Sequence, residues 1–304
     1  MQLISMYFNY YKRILWLLAA GLLAVLSACS QESGNTTSIP VATGSETTGG
    51  AVDNLSSARN IEWPLHNYDL YGSRFSPTDQ ITKDNVSTLT PRWLFQHGVI
   101  DGVSNQTTPV IVNEIMYITD SRGSVYAVNA RDGHLIWTYD VTRLLGGGRR
   151  EGYIFRHRGV AYDDGVVYTA AGSFIFALDA ETGNPIEGFG NGGQASVILD
   201  VLHQRDPSIE TAISAGYWFT TAPQIHNDVI YIGTTRSESH IAGGYVLAID
   251  DQSGEVLWNF NTVPQDENDQ GWDIAGPTWV GGERNGGGIC CLLYTSDAAD
   301  DWSS

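Results

Sequence analysis

The chain has 304 residues, of which 42% are hydrophobic, enough for a substantial core, and its 34 glycines suit a protein built from many turns. Its net charge is -18, and lysine occurs only at Lys12 and Lys83. With no basic stripe to neutralise phosphates, the composition argues against nucleic acid as a partner.

Residues 1–29 read as a targeting segment. Lys12 and Arg13 precede an apolar run, Ile14 to Leu26, that is short for a membrane span. The run ends in Leu26-Ser27-Ala28-Cys29, which looks like a bacterial lipoprotein signal. On that reading Cys29 becomes the acylated N-terminus, and the protein sits in the bacterial periplasm, held to a membrane by its lipid. Residues 30–58 are rich in Ser, Thr, Gly and Asn and are expected to form a flexible tether. The body, Ser30 to Ile289, contains no cysteine and therefore no expected disulfide, although export would permit one.

The expected folded region is 59–289. Its first strand signal, Leu89 to Phe95, reads as one outer strand without sequence-adjacent partners. Three units of four strands follow, recognised by period-2 alternation between turn signals. The first takes Thr108–Val112, Ile115–Thr119, Val125–Ala130 and Leu135–Tyr139. The second takes Gly159–Tyr162, Val166–Ala170 and Phe174–Asp179, and closes with a strand ending near Phe189. The third takes Ala222–Ile225, Val229–Gly233, Tyr245–Asp250 and Leu257–Phe260. One phrase recurs at the third turn of each unit: Ala127 to Trp137, Ala177 to Gly183, and Ala248 to Trp258.

A unit repeated at this scale cannot bury its apolar face alone and must stack on its neighbours. Four-stranded repeats of this kind indicate an all-β propeller, of which this chain holds about three blades and one closing strand. Trp137 and Trp258, ending matching strands, are expected to anchor blade to blade. The greater spacing between the second and third repeat glycines falls in a long loop, Gln194 to Tyr217. The stretch 290–304, with Cys290 and Cys291, continues no blade pattern and resembles translated adapter read-through, so it is expected to be non-native.

Whole phrases of residues 60–289 resemble the quinoprotein dehydrogenases, whose cofactor is pyrroloquinoline quinone (PQQ). They include Trp63-Pro64-Leu65-His66-Asn67-Tyr68-Asp69, Tyr71-Gly72-Ser73-Arg74-Phe75-Ser76-Pro77 and Gln80 to Val86. Others are Arg158-Gly159-Val160-Ala161-Tyr162, Phe189 to Gln194, Thr220-Thr221-Ala222-Pro223 and Gly286-Gly287-Gly288-Ile289. The resemblance implies an eight-bladed propeller that oxidises an alcohol or sugar with PQQ and Ca2+. Electrons would leave to a periplasmic cytochrome c or to membrane ubiquinone. It implies Arg158, Thr220 and Thr235 as cofactor contacts and Glu238 as a calcium ligand. Gln106 stands where many members carry a cofactor-touching glutamate.

The chain also departs from the family pattern. Glu151 to His157 lacks the adjacent cysteines that many alcohol-oxidising members place before the Arg-Gly phrase. That absence, with Phe189 to Gln194, leans toward the glucose/quinate-like branch. The tryptophan expected after Gly288 is absent, and the aspartate general base falls beyond Ile289, so this chain is expected to be an inactive fragment of an enzyme. His157 reads as a loop histidine rather than a metal ligand. The rival reading is a non-catalytic propeller lipoprotein of the outer-membrane barrel-assembly type, which would need neither Arg158 nor the Thr220, Thr235 and Glu238 set.

Overall fold

The structure, a computed structural model, describes residues 62–99, 105–141, 157–234 and 242–279, with Arg284, Gly286 and Ile289. All of these fall within one unit of the chain, Ser57–Ser304. Short runs of β-branched and aromatic residues form the strands, and tight turns set their direction. The first sheet is β1 (Val110–Val112), β2 (Ile115–Thr119), β3 (Val125–Asn129) and β4 (Leu135–Tyr139). The second is β5 (Ala161–Asp163), β6 (Val166–Ala171), β7 (Phe174–Asp179) and β8 (Gln194–Ala195). The third is β9 (Gln224–His226), β10 (Val229–Gly233), β11 (Tyr245–Asp250) and β12 (Val256–Asn261). Each sheet is an antiparallel meander with its strands in chain order.

The first turn of each meander holds two residues in the left-handed region: Asn113 and Glu114 (φ 51° and 65°), Asp164 and Gly165 (37° and 83°), Asn227 and Asp228 (51° and 62°). Such pairs twist with the flanking strands and so fix a two-residue hairpin. The registers then coincide, with Tyr117 opposite Ala127, Tyr168 opposite Ala177, and Tyr231 opposite Ala248. The recurring sequence phrase therefore reports a recurring three-dimensional unit. Three consecutive meanders of this kind are blades of a β-propeller.

The blades lock through the same phrase. Trp137 at the end of blade 1 is 8% exposed, and its indole N–H donates to Ala180 O at 2.9 Å. Its ring lies so close to Gly183 that a Cβ there would stand 2.6 Å from it. Tyr117 Oη donates to the same carbonyl at 3.1 Å. Upstream, Trp93 makes the equivalent contacts with Gly133 and with Ala130 O, the latter at 3.1 Å. Blade 2 has no tryptophan at this point. Phe189 and Ala195 instead meet Gly254, and Tyr168 Oη donates to Asp251 O at 3.1 Å. Trp258, the matching residue of blade 3, is 47% exposed and touches Tyr231. The anchoring role expected for Trp137 is present, and that expected for Trp258 is not seen among the described residues.

Two further expectations are corrected, and one stands as it was. The segment Leu89 to Phe95, expected as an outer strand without its partners, joins no ladder among the described residues. Trp93, Phe95 and His97 are half-buried while Leu94, Gln96 and Gly98 are exposed, and Phe95 lies edge-on to Tyr126 at 5.6 Å. It packs on blade 1 as a strand would, without the pairing. The fourth strand of blade 2 is Gln194–Ala195 rather than a run ending near Phe189, because Gly190, Gly192 and Gly193 turn the chain back first. The long loop after Gln194 carries helix α1 (Val197–His203), whose Val197, Ile198, Val201 and Leu202 enter the core shared by blades 2 and 3.

Candidate cofactor site

Gln106, Arg158 and Thr220 each lie just upstream of the innermost strand of their own blade, β1, β5 and β9 respectively. The meander topology thus brings residues far apart in sequence to one end of the inner strands. Arg158 Nη1 donates to Thr220 O at 3.1 Å and contacts Thr220 Oγ1 at 3.2 Å. Thr220 is buried and Arg158 half-buried, so the guanidinium sits in a fixed place with its remaining N–H groups available for further bonds. Arg158 O accepts from Thr108 N at 3.0 Å. At the next residue, Gly159 (φ 126°), a Cβ would meet Thr108 O at 2.8 Å. Only glycine permits blades 1 and 2 to approach so closely.

Gln106 is exposed on the same approach. Thr235, Glu238 and Cys29 lie outside the described residues. The neighbour of Thr235 is Thr234, which is buried and pairs with Tyr245 through both backbone and hydroxyl. Thr234 O also accepts from Ile289 N, so the end of the glycine-rich phrase returns to the tip of β10.

Three neighbours of Arg158 were not legible in the sequence. His66 Nε2 faces Thr108 Oγ1 at 3.3 Å. Burial, then the charges of Arg74 and Arg158, lower the His66 pKa to about 4. His157 is 4% exposed rather than lying in an open loop. Burial lowers its pKa to about 4 against an opposing hydrogen bond to the Ala170 backbone. Both imidazoles are therefore neutral at neutral pH. Arg74 donates from Nε to Asn67 Oδ1 at 3.0 Å. Two arginines acting on one buried imidazole make this a cationic spot in a protein of net charge -18.

A triad of acids that could hold a cation, Asp163, Asp228 and Asp251, has its oxygens within 4.8 Å of one another. Asp163 ends β5 and Asp228 follows β9, whereas Arg158 and Thr220 precede these strands, so the triad belongs to the other end of the inner strands.

The fold defines the class, a β-propeller, and the Arg158 fork held against the Thr220 hydroxyl is chemistry suited to an anionic organic group. A family model described as the PQQ "Glucose/ethanol/alcohol dehydrogenase, beta-propeller domain" matches residues 63–287. The quinohemoprotein alcohol dehydrogenase ADH-IIG of Pseudomonas putida is 33% identical over 234 residues, covering 74% of this chain and 29% of its own length. Its solved structure superposes with a TM-score of 0.57 at 31% identity, covering 77% of this chain and 32% of that one. The quinohemoprotein alcohol dehydrogenase of Comamonas testosteroni is 30% identical over 298 residues, covering 94% of this chain and 38% of its own length. The quinoprotein glucose dehydrogenase of Escherichia coli is 26% identical over 250 residues, covering 70% and 30% respectively. The chain belongs to the PQQ-dependent quinoprotein dehydrogenase family. It spans between 29% and 38% of the length of these three relatives.

The donor set fits the family's cofactor. PQQ carries three carboxylates and two quinone oxygens, all acceptors, and at this point Arg158 can only donate while Thr220 and Gln106 each carry a group able to donate.

Proposed function

We propose that the complete protein is a periplasmic, lipid-anchored dehydrogenase that oxidises an alcohol or a sugar at a CH–OH group. The observation carrying this reading is the Arg158–Thr220 contact, which joins two separately expected cofactor residues from different blades. When bound, PQQ supplies an electron-poor ortho-quinone that accepts the substrate's hydride. Arg158 binds a carboxylate or quinone oxygen through its fork, and Thr220 holds that fork in place. Gln106 and Thr235 add neutral hydrogen bonds. Glu238 supplies a carboxylate to Ca2+, which prefers oxygen ligands and acts as a Lewis acid. The proton acceptor for the substrate hydroxyl is assigned to no residue of this chain. Residues 1–29 direct export, Cys29 carries the lipid, and 30–58 form the tether. Periplasmic cytochrome c or membrane ubiquinone takes the electrons.

Two observations bear on substrate. The absence of an adjacent cysteine pair before Arg158 favours the glucose/quinate-like branch. Identities of 33% and 30% to alcohol dehydrogenases, against 26% to a glucose dehydrogenase, favour alcohols. Titrating residues 30–304 with PQQ and CaCl2, and following tryptophan quenching, tests the site. Saturable binding that Arg158→Ala weakens is the expected result, and absence of binding refutes the reading. Dye reduction by the complete protein with primary alcohols, aldoses and quinate then separates the branches.

A further inference from the structure

We propose that a polar cleft on the rim of blade 3 binds a neutral saccharide, away from the cofactor residues and independently of them.

The cleft has a volume of about 610 Å³, within the roughly 300–1,000 Å³ of small-molecule sites. Its floor is the end of β12, Asn259 to Asn261. The C-terminal part of α1 with Gln204 and Arg205 forms one wall, and the chain at 266–270 forms the other. β12 is the outermost strand of its sheet, three strand spacings from β9, or about 14 Å. Thr220 lies just upstream of β9, so this is a separate place from the cofactor residues.

The walls are held without a ligand. Arg205 reaches across to Asp266, at 3.4 Å, and to Asp269. Asp269 Oδ2 accepts from Gln265 N at 2.6 Å. Gln265 Nε2 donates to Arg284 O at 2.9 Å, and Arg284 Nη1 donates back to Gln265 O at 2.7 Å. A ligand entering such a frame does not bear the cost of ordering it.

The groups left open select the ligand. One guanidinium faces two carboxylates, a balance that repels an anion. Both carboxylates are already engaged, Asp266 by Arg205 and Asn268, Asp269 by Arg205 and Gln265, which leaves little for a cation. Neutral amides remain. Asn259 Nδ2 donates to Gln204 Oε1 at 3.4 Å, which leaves Asn259 Oδ1 as an acceptor and Gln204 Nε2 as a donor. The exposed Gln270 amide has no partner among the described residues, so it offers both roles. Donors and acceptors side by side match sugar hydroxyls, each of which gives and takes a hydrogen bond. Val201 and Phe260 provide apolar surface for the C–H face of a ring.

The test is maltose binding to the full 304-residue chain without PQQ, by calorimetry and saturation-transfer NMR. Saturable binding is expected, with its oxidised acid, maltobionate, at least about fivefold weaker. Gln270→Ala and Asn259→Ala should each weaken maltose about fivefold, the scale of one net hydrogen bond. Arg158→Ala should leave the affinity unaltered. Absence of saturation, equal binding of maltobionate, or full affinity in both cleft variants overturns the proposal. Loss of binding in Arg158→Ala with retention in the cleft variants also overturns it, because the sugar would then sit at the cofactor residues. Melting temperatures check that the variants fold; if Asn259→Ala does not, the exposed Gln270 carries the test alone.

Discussion

Gly183→Ala probes how the blades are held together. Gly183 has φ 73°, and a Cβ there would stand 2.6 Å from Cδ2 and Cε3 of Trp137. The indole cannot swing aside, because it is 8% exposed and its N–H is held by Ala180 O at 2.9 Å. The left-handed backbone costs an alanine ~1–2 kcal/mol, and forcing a methyl against a packed ring costs a further ~1–3 kcal/mol. Gly165 supplies the control, with φ 83° and no atom within 4 Å of a built Cβ. Gly165→Ala should lose only the backbone cost of ~1–2 kcal/mol. Urea denaturation of both variants gives the packing contribution as the difference between them. Equal losses at the two positions would show that Gly183 serves its turn alone and would refute the tryptophan lock.

The same lock predicts unequal tryptophans. Trp137→Ala should cost about 3–5 kcal/mol, whereas Trp258→Ala, at a ring 47% exposed, should cost under about 1 kcal/mol in this chain; comparable midpoints for the two would contradict it. Stability should also fall with acid. His157 has a folded pKa of about 4 against an ordinary 6.5, so between pH 6.5 and 4 the unfolded chain takes up a proton that the folded chain refuses. The contribution is complete above pH 6.5, is lost by about 3 kcal/mol as pH falls to 4, and changes no further below it. His66 acts with the same sign. Denaturation midpoints across pH 3.5–7.5 should flatten in His157→Gln, and an unchanged profile would count against the buried neutral imidazole. Arg158→Lys should weaken PQQ about tenfold, because an ammonium offers no planar fork to hold Thr220 and a carboxylate together; calorimetry that finds no change would remove Arg158 from the site.

Much of this molecule was open to reading in one dimension. Strand alternation, two-residue turns such as Asn113-Glu114, and the phrase ending in Gly133, Gly183 and Gly254 act over a few residues. Hairpin pairing, register and blade count are therefore local consequences of the sequence. β2, β4, β7, β10 and β11 were expected with the limits found. Arg158 and Thr220 were singled out by the phrases around them.

What folding in three dimensions decided is everything that needs a second blade. Whether a tryptophan is an anchor depends on a glycine facing it, present for Trp137 and not seen for Trp258 among the described residues. Burial alternates along 92–99 as in a strand, so Trp93 and Phe95 pack on blade 1 while the backbone joins no ladder among the described residues. Val197–His203, inside the Gln194 to Tyr217 stretch, became a helix because blades 2 and 3 offered an apolar surface to Val197, Ile198, Val201 and Leu202. His66 came to face Thr108 because the paired backbones of Trp63 and Ile111 carry it across the first inner strand. Contacts of that kind depend on the packing of distant segments, and no spacing along the chain encodes them.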